Sequence, residues 1–265
     1  RLAQQVEPKR FNVTEKIRKK FYPFAHRAVF VGCARNIQDD IKHSLSDVER
    51  LAKEFNDYRI ILYENDSNDD TKKIIQDRVC ENSKIELISE SNVPGSRTVR
   101  LARGRNILLD EVKKNFHDFD FMVVMDLDYK KSYTTSLVPL VDYSDVDWQV
   151  LTGVSRENHP YYDWWALRQT AFSANYDCWK DFEKMRLFGD CMEWDKKWKF
   201  SMKRLQQARS AFNGIAVYKI KDIPAGARYI GNTDNGDEVC EHVSFNSSFD
   251  RLFIHPYLLT STWDP

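Results

Sequence analysis

Asp126 and Asp128 are the residues on which chemistry can first be built. They close the run Phe119-Asp120-Phe121-Met122-Val123-Val124-Met125, whose continuous apolar stretch reads as a strand buried on both faces. In extended backbone, residues two apart point the same way, so both carboxylates would project beyond the carboxyl end of that strand. Open α/β sheets bind their ligands at that end. Two carboxylates so close repel each other unless a cation sits beside them. A hard divalent ion, Mn²⁺ or Mg²⁺, with a diphosphate as co-ligand meets that need. The plainer reading, a pair of solvated turn residues after a strand, stays open, because a D-x-D tripeptide is common by chance.

Further polar groups fall at neighbouring strand ends. Arg35 and Asn36 follow one apolar run; Glu64, Asn65 and Asp66 follow the next. Acidic and amide side chains at such a rim can accept from a ribose or a base edge. Arg97, Arg100, Arg103 and Arg105 crowd the segment before the D-x-D strand, and guanidinium groups fork onto phosphate oxygens. Such a run is equally a solvated basic face. Later, Tyr161-Tyr162-Asp163-Trp164-Trp165 gathers aromatic rings around one carboxylate, either a sugar platform or buried core. Asp190 and Glu193 are candidate catalytic or acceptor-binding carboxylates, and the glycine of Asn213-Gly214 permits close approach of backbone to a ligand. His242, either structural or a ligand, would complete a site with Asp128, since imidazole suits manganese.

The elements that must carry these groups alternate. Strands are expected over Arg27–Ala34, Tyr58–Tyr63, Ile85–Ser89 and the central run, with helices near Asp39–Phe55, after Thr71 to about Cys80, and over Thr98–Asn115. Ser67-Asn68-Asp69-Asp70-Thr71 supplies helix N-cap residues. This order predicts an α/β fold with a mostly parallel central sheet, helices on its faces and right-handed crossovers. Further strands are expected over Trp148–Val154 and Ala211–Tyr218, with a mostly helical stretch from Cys178 to Gln207. The expected organisation is an N-terminal arm over 1–25, a first half over 26–145 that ends in the D-x-D strand and its turn, and a second half over 146–265.

Composition narrows the classes. With 42% hydrophobic and 13% aromatic residues in 265, the chain is globular, and 40 basic against 40 acidic residues give no case for a nucleic-acid partner. No apolar run approaches the roughly 20 residues that span a bilayer. The five cysteines are scattered and lack a C-x-x-C pair, which argues against a zinc ribbon or a disulfide scaffold. Both G-x-G-x-x-G after the first strand and G-x-x-x-x-G-K-[ST] are missing. The chain starts at Arg1, as an excised piece of a longer protein with further domains would. A glycosylation sequon at Asn65, inside the expected ligand loop, leans towards the cytoplasm, with the Golgi lumen as the alternative.

The ordered set GCARN, YENDSNDDT, RGRN, VVMDLDY, YYDWWALR, FNGIAVYK and CEHVSFN resembles metal-dependent glycosyltransferases of the GT-A fold, above all the capsule-associated α-mannosyltransferase type and glycosyltransferases of large viruses. The resemblance implies transfer of a hexose from a UDP- or GDP-linked donor to a glycan or glycoprotein hydroxyl. It places Arg35, Glu64 and Asp66 at the nucleotide and Arg103 at the diphosphate or donor sugar. Asp126 falls at the ribose or sugar, and Asp128 and His242 on Mn²⁺ or Mg²⁺, with Asp126 beside them. Asp163, Trp164, Asn213 and Gly214 fall at the donor sugar or acceptor. An inverting enzyme needs a base such as Asp190 or Glu193; the nearest type is retaining, which favours that course. Rivals are a non-catalytic sugar- or nucleotide-binding module and an aspartyl-phosphate phosphohydrolase. The latter needs Ser or Thr two residues after the second Asp, where this chain has Lys130.

Overall fold

The computed structural model describes residues 26–129, 136–137, 146–155, 161–169 and 205–260. Asp190, Glu193, the N-terminal arm and most of the expected helical stretch 178–207 lie outside them.

The first half follows the predicted alternation: β1 (Arg27–Ala34), α1 (Gln38–Ala52), β2 (Asp57–Asn65), α2 (Thr71–Glu81), β3 (Ile85–Glu90), α3 (Arg97–Asn115) and β4 (Phe121–Met125). The second half adds β5 (Val150–Ser155), β6 (Gln206–Ala208), β7 (Ile215–Lys219), the short helix α4 (Glu241–Asn246) and β8 (Leu252–Thr260). All the described strands join one eight-stranded sheet, in the order β3-β2-β1-β4-β7-β5-β8-β6. Its direction is mostly parallel; β6 and β7 run the other way. The four strands of the first half lie side by side, as do the four of the second, and the β4–β7 pair joins them into one sheet.

Side-chain alternation sorts the core into two layers. Phe30 and Val123 face α1, whose Ile41, Leu45, Val48 and Leu51 form its apolar stripe. Val29, Val31, Met122 and Val124 face α3 and α4, meeting Leu108, Leu109, Val112 and Phe245. Burial on both faces explains why the central strands are near-continuous apolar runs.

One expectation is corrected. Gln206 and Gln207, the end of the stretch read as helical, belong to strand β6, which pairs antiparallel with β8. β8 and α4 were not foreseen. In β8 the ladder with β5 shifts register between Ile254 and Leu259, across Pro256, which cannot donate to a ladder. The N-cap of α2 is Asp70, within the expected string; it makes no side-chain cap bond, and Asp69 Oδ1 accepts from Thr71 N at 2.9 Å.

Candidate active site

The carboxyl ends of β1, β2, β3 and β4 and the start of antiparallel β7 share one rim of the sheet. Among the described residues, the non-glycine positions with positive φ are Asn36, Asp66, Asn92 and Asn213, all in the turns of this rim. Asn and Asp tolerate the left-handed region better than other side chains. Much of the rim's polar chemistry is spent on holding these turns. Asn36 N donates to Ser67 Oγ at 3.1 Å and Asn68 N to Asn36 Oδ1 at 2.9 Å; Gln38 and Asp69–Asp70 are laced in the same way.

The D-x-D turn is fixed from beneath. Leu127 is buried, its carbonyl accepts from Ser44 Oγ at 2.7 Å, and its side chain lies so close to Gly32 that a Cβ there would stand 2.9 Å from Leu127 Cδ1. With Leu127 turned in, Asp126 and Asp128 face the other way, as extended backbone requires. Asp126 N donates to Gly214 O at 3.0 Å, which ties the turn to the loop before β7.

Above the turn opens a cleft of about 290 Å³, walled by Arg35, Asn36, Asn65, Arg97, Arg100, Arg105, Asp126 and Asp128, with Cys33 and Tyr63 also among its lining residues. Arg105 is the deepest cation, 5% exposed. Its Nε donates to Glu241 Oε1 at 2.9 Å and its Nη2 to Asp126 Oδ1 at 3.2 Å. Its guanidinium carbon lies 5.2 Å from the Phe212 ring centre, and Nη1 has no hydrogen-bond partner. Burial and the neighbouring Asp128 push the Asp126 carboxyl well above the usual range, against the pull of Arg105. Burial pushes the Cys33 thiol up to about 12.

Of the residues singled out in the sequence, Arg35, Asp126 and Asp128 meet in this cleft. Asp163 is not among the cleft's lining residues, but its charge adds to the repulsion on Asp126. Its own carboxyl is pushed up to about 6 by burial, while Asn213 N and Ala166 N donate to it, each at 3.2 Å. Asn213 is fully buried and serves the framework: Oδ1 accepts from Tyr162 N at 2.9 Å, and Nδ2 donates to Ser155 Oγ at 3.1 Å. Trp164 packs edge-on against Tyr161, with ring centres 6.1 Å apart.

Glu64, Asp66 and Arg103 are engaged elsewhere and are not among the cleft's lining residues. Glu64 is buried and accepts from Ser67 N at 2.9 Å and Ser89 Oγ at 2.8 Å. Asp66 accepts from Asn65 Nδ2 at 2.9 Å, Val93 N at 3.0 Å and Asn92 N; these bonds, the Asn65 amide first, hold its carboxyl below the usual range. Arg103 forks onto Glu90, with both bonds at 2.7 Å, and Tyr63 OH joins the same carboxylate. Arg103 first and Tyr63 second hold Glu90 down to about 2. Arg105 and Glu241 carry the buried charge that the sequence reading left unassigned.

For a divalent ion, Asp126 and Asp128 fit: two hard carboxylates on one rim, with a repulsion that a cation relieves. His242 is buried and kept neutral by burial and by Arg105, and neither ring nitrogen has a hydrogen-bond partner. It stacks on Phe212, with ring centres 3.7 Å apart, and its Nε2 lies 3.6 Å from Glu241 Oε1. Among the described residues no three His, Cys, Asp or Glu side chains converge as a ligand set, so the trio of Asp126, Asp128 and His242 is not assembled.

No protein-family model matches the chain, and no curated protein matches it. Solved structures do. The mannosyltransferase PcManGT from Pyrobaculum calidifontis, in complex with GDP-Man and Mn²⁺, gives a TM-score of 0.54 at 10% identity, over 91% of this chain and 57% of that one. S. aureus TarS 1-349 in complex with UDP-GlcNAc gives 0.53 at 10% identity, over 90% and 59%. The chain thus spans less than two thirds of the length of these neighbours. At such identity the likeness is one of fold: a mostly parallel α/β sheet of the GT-A type, shared with nucleotide-sugar glycosyltransferases.

Proposed function

We propose that the protein is a metal-dependent glycosyltransferase that moves a hexose or similar sugar from a UDP- or GDP-linked donor to a glycan or glycoprotein hydroxyl. The observation that carries this reading is the carboxylate pair at the end of β4, facing an arginine-walled cleft. The fold adds support, since neighbours of that fold are held with GDP-Man and Mn²⁺ or with UDP-GlcNAc.

Asp126 and Asp128 would hold Mn²⁺ or Mg²⁺, which when bound neutralises the departing diphosphate. Arg35, Arg97 and Arg100 would take phosphate oxygens in forked hydrogen bonds. Arg105 Nη1 carries N–H groups with no acceptor in the protein, suited to the negative charge that grows on the leaving group. Asp163, with its carboxyl near 6, stays largely ionised at neutral pH and can orient a sugar hydroxyl or accept its proton. The resemblance of the sequence motifs to the capsule-associated mannosyltransferase type favours retention of anomeric configuration, in which the departing phosphate takes the acceptor's proton. A non-catalytic sugar-binding module remains the rival, and the ionisable cleft argues against it.

Calorimetric titration of UDP and GDP, each with and without Mn²⁺, tests the reading on the wild type and on Asp128→Asn. Metal-dependent binding of one nucleotide, lost in the variant, is the expected result. Binding of neither by folded protein overturns it.

A further inference from the structure

We propose that Glu241, acting through Arg105, is a positioning residue that keeps Asp126 available to the bound nucleotide sugar and its cation. The inference rests on the glycosyltransferase reading above.

Arg105 stands between two carboxylates from distant parts of the chain. Glu241, at the start of α4, is 4% exposed and takes the Nε–H at 2.9 Å; Asp126 takes one Nη2–H at 3.2 Å through Oδ1 alone. Asp126 Oδ2 accepts no hydrogen bond among the described residues, and the Asp126 backbone is anchored separately, through N–H to Gly214 O. Glu241 answers the guanidinium charge from the inner side. Among the described residues the Asp126 carboxylate is therefore held by a single bond and keeps its second oxygen for a ligand.

Without the Glu241 charge the balance changes. Arg105 would be a buried cation with Asp126 as its nearest carboxylate, and a fork onto both Asp126 oxygens becomes the favoured arrangement. That fork withdraws Asp126 from the cleft. Partners that orient a metal-binding carboxylate typically contribute about 10- to 100-fold in affinity. Glu241 also lies 3.6 Å from His242 Nε2, but the neutral imidazole brings no charge to compete for it.

The test is calorimetry of the nucleoside diphosphate that binds the wild type, UDP or GDP, in the presence of Mn²⁺. Glu241→Gln keeps the size and one carbonyl acceptor for Arg105 Nε but loses the charge. It should weaken binding about 10- to 100-fold. Glu241→Asp, which keeps the charge, should recover most of that loss. Asp126→Asn should also weaken binding, and adding Glu241→Gln to it should change the affinity by no more than about twofold, because the route through Asp126 is already gone. Binding by folded Glu241→Gln within about twofold of wild type overturns the inference, as do losses that multiply in the double variant. Should Glu241→Gln not fold, Glu241→Asp with and without Asp126→Asn makes the same comparison: its smaller loss must vanish in the Asp126→Asn background. Wild-type protein that binds neither nucleotide is a different failure, since it removes the glycosyltransferase reading itself and the inference with it.

Discussion

Asn213 is the residue whose replacement reads out most of the framework at once. Its Oδ1 accepts from Tyr162 N at 2.9 Å and from Asp163 N at 3.4 Å, its Nδ2 donates to Ser155 Oγ at 3.1 Å, and its φ is 59°. Asn213→Ala leaves buried groups on both sides without a partner, at about 1–2 kcal/mol each, and asks alanine to hold the left-handed region, at about 1 kcal/mol more. The expected loss of stability is about 3–5 kcal/mol, or roughly 10 °C in Tm for a chain of this size. Asn213→Gly makes the same hydrogen-bond change without the backbone conflict, so it should be about 1 kcal/mol more stable than the alanine variant. Urea unfolding followed by circular dichroism and tryptophan fluorescence measures both. An alanine variant that loses less than about 1 kcal/mol, or a glycine variant below it, would falsify this account of the loop.

Two more predictions use the charges. The Asp163 carboxyl sits near 6 in the folded protein against about 4 when unfolded, so between those values the folded state binds more protons and stability falls as pH rises. The effect is on the order of 2 kcal/mol between pH 4 and pH 7, and Asp163→Asn should flatten that part of the profile in urea titrations; an unchanged slope rules out the assignment. Arg103→Ala breaks an ion pair whose arginine is half exposed, so nucleotide affinity should stay within about twofold, while Arg100→Ala in the cleft wall should cost about tenfold. Equal losses in the two variants would show that α3 presents a different face to the ligand.

Much of the fold was legible because its cause is local. β1 was read at its observed bounds, Arg27–Ala34, since a doubly buried strand flanked by polar residues has sharp edges in sequence. β6 escaped notice: it is three residues long, contains two glutamines, and owes its conformation to β8 alone. For the site, the position of Asp126 and Asp128 at a strand end followed from apolar patterning. The choice among the arginines of α3 did not. A signal was available: Thr98, Ala102, Arg105, Leu109 and Val112 recur at helical spacing and are all buried, so Arg105 is a cation inside an apolar stripe and must have a buried partner. Arg103 lies about 200° around the helix from Arg105. Glu64 and Asp66 have the right residue types and the right place, but unpaired backbone N–H groups of the rim turns claimed them first.

The Arg105–Glu241 pair has a consequence for how the chain reaches its native state. The partners are 136 residues apart, and the guanidinium sits in the layer between α3 and the sheet. A growing chain can lay down β1 to β4 with their helices from local pairings, and until α4 arrives Asp126 is the carboxylate on hand for Arg105. Docking of α4 therefore comes late, and only then does Arg105 gain Glu241 as its second carboxylate. The pairing around Arg105 is thus complete only in a chain made through Glu241.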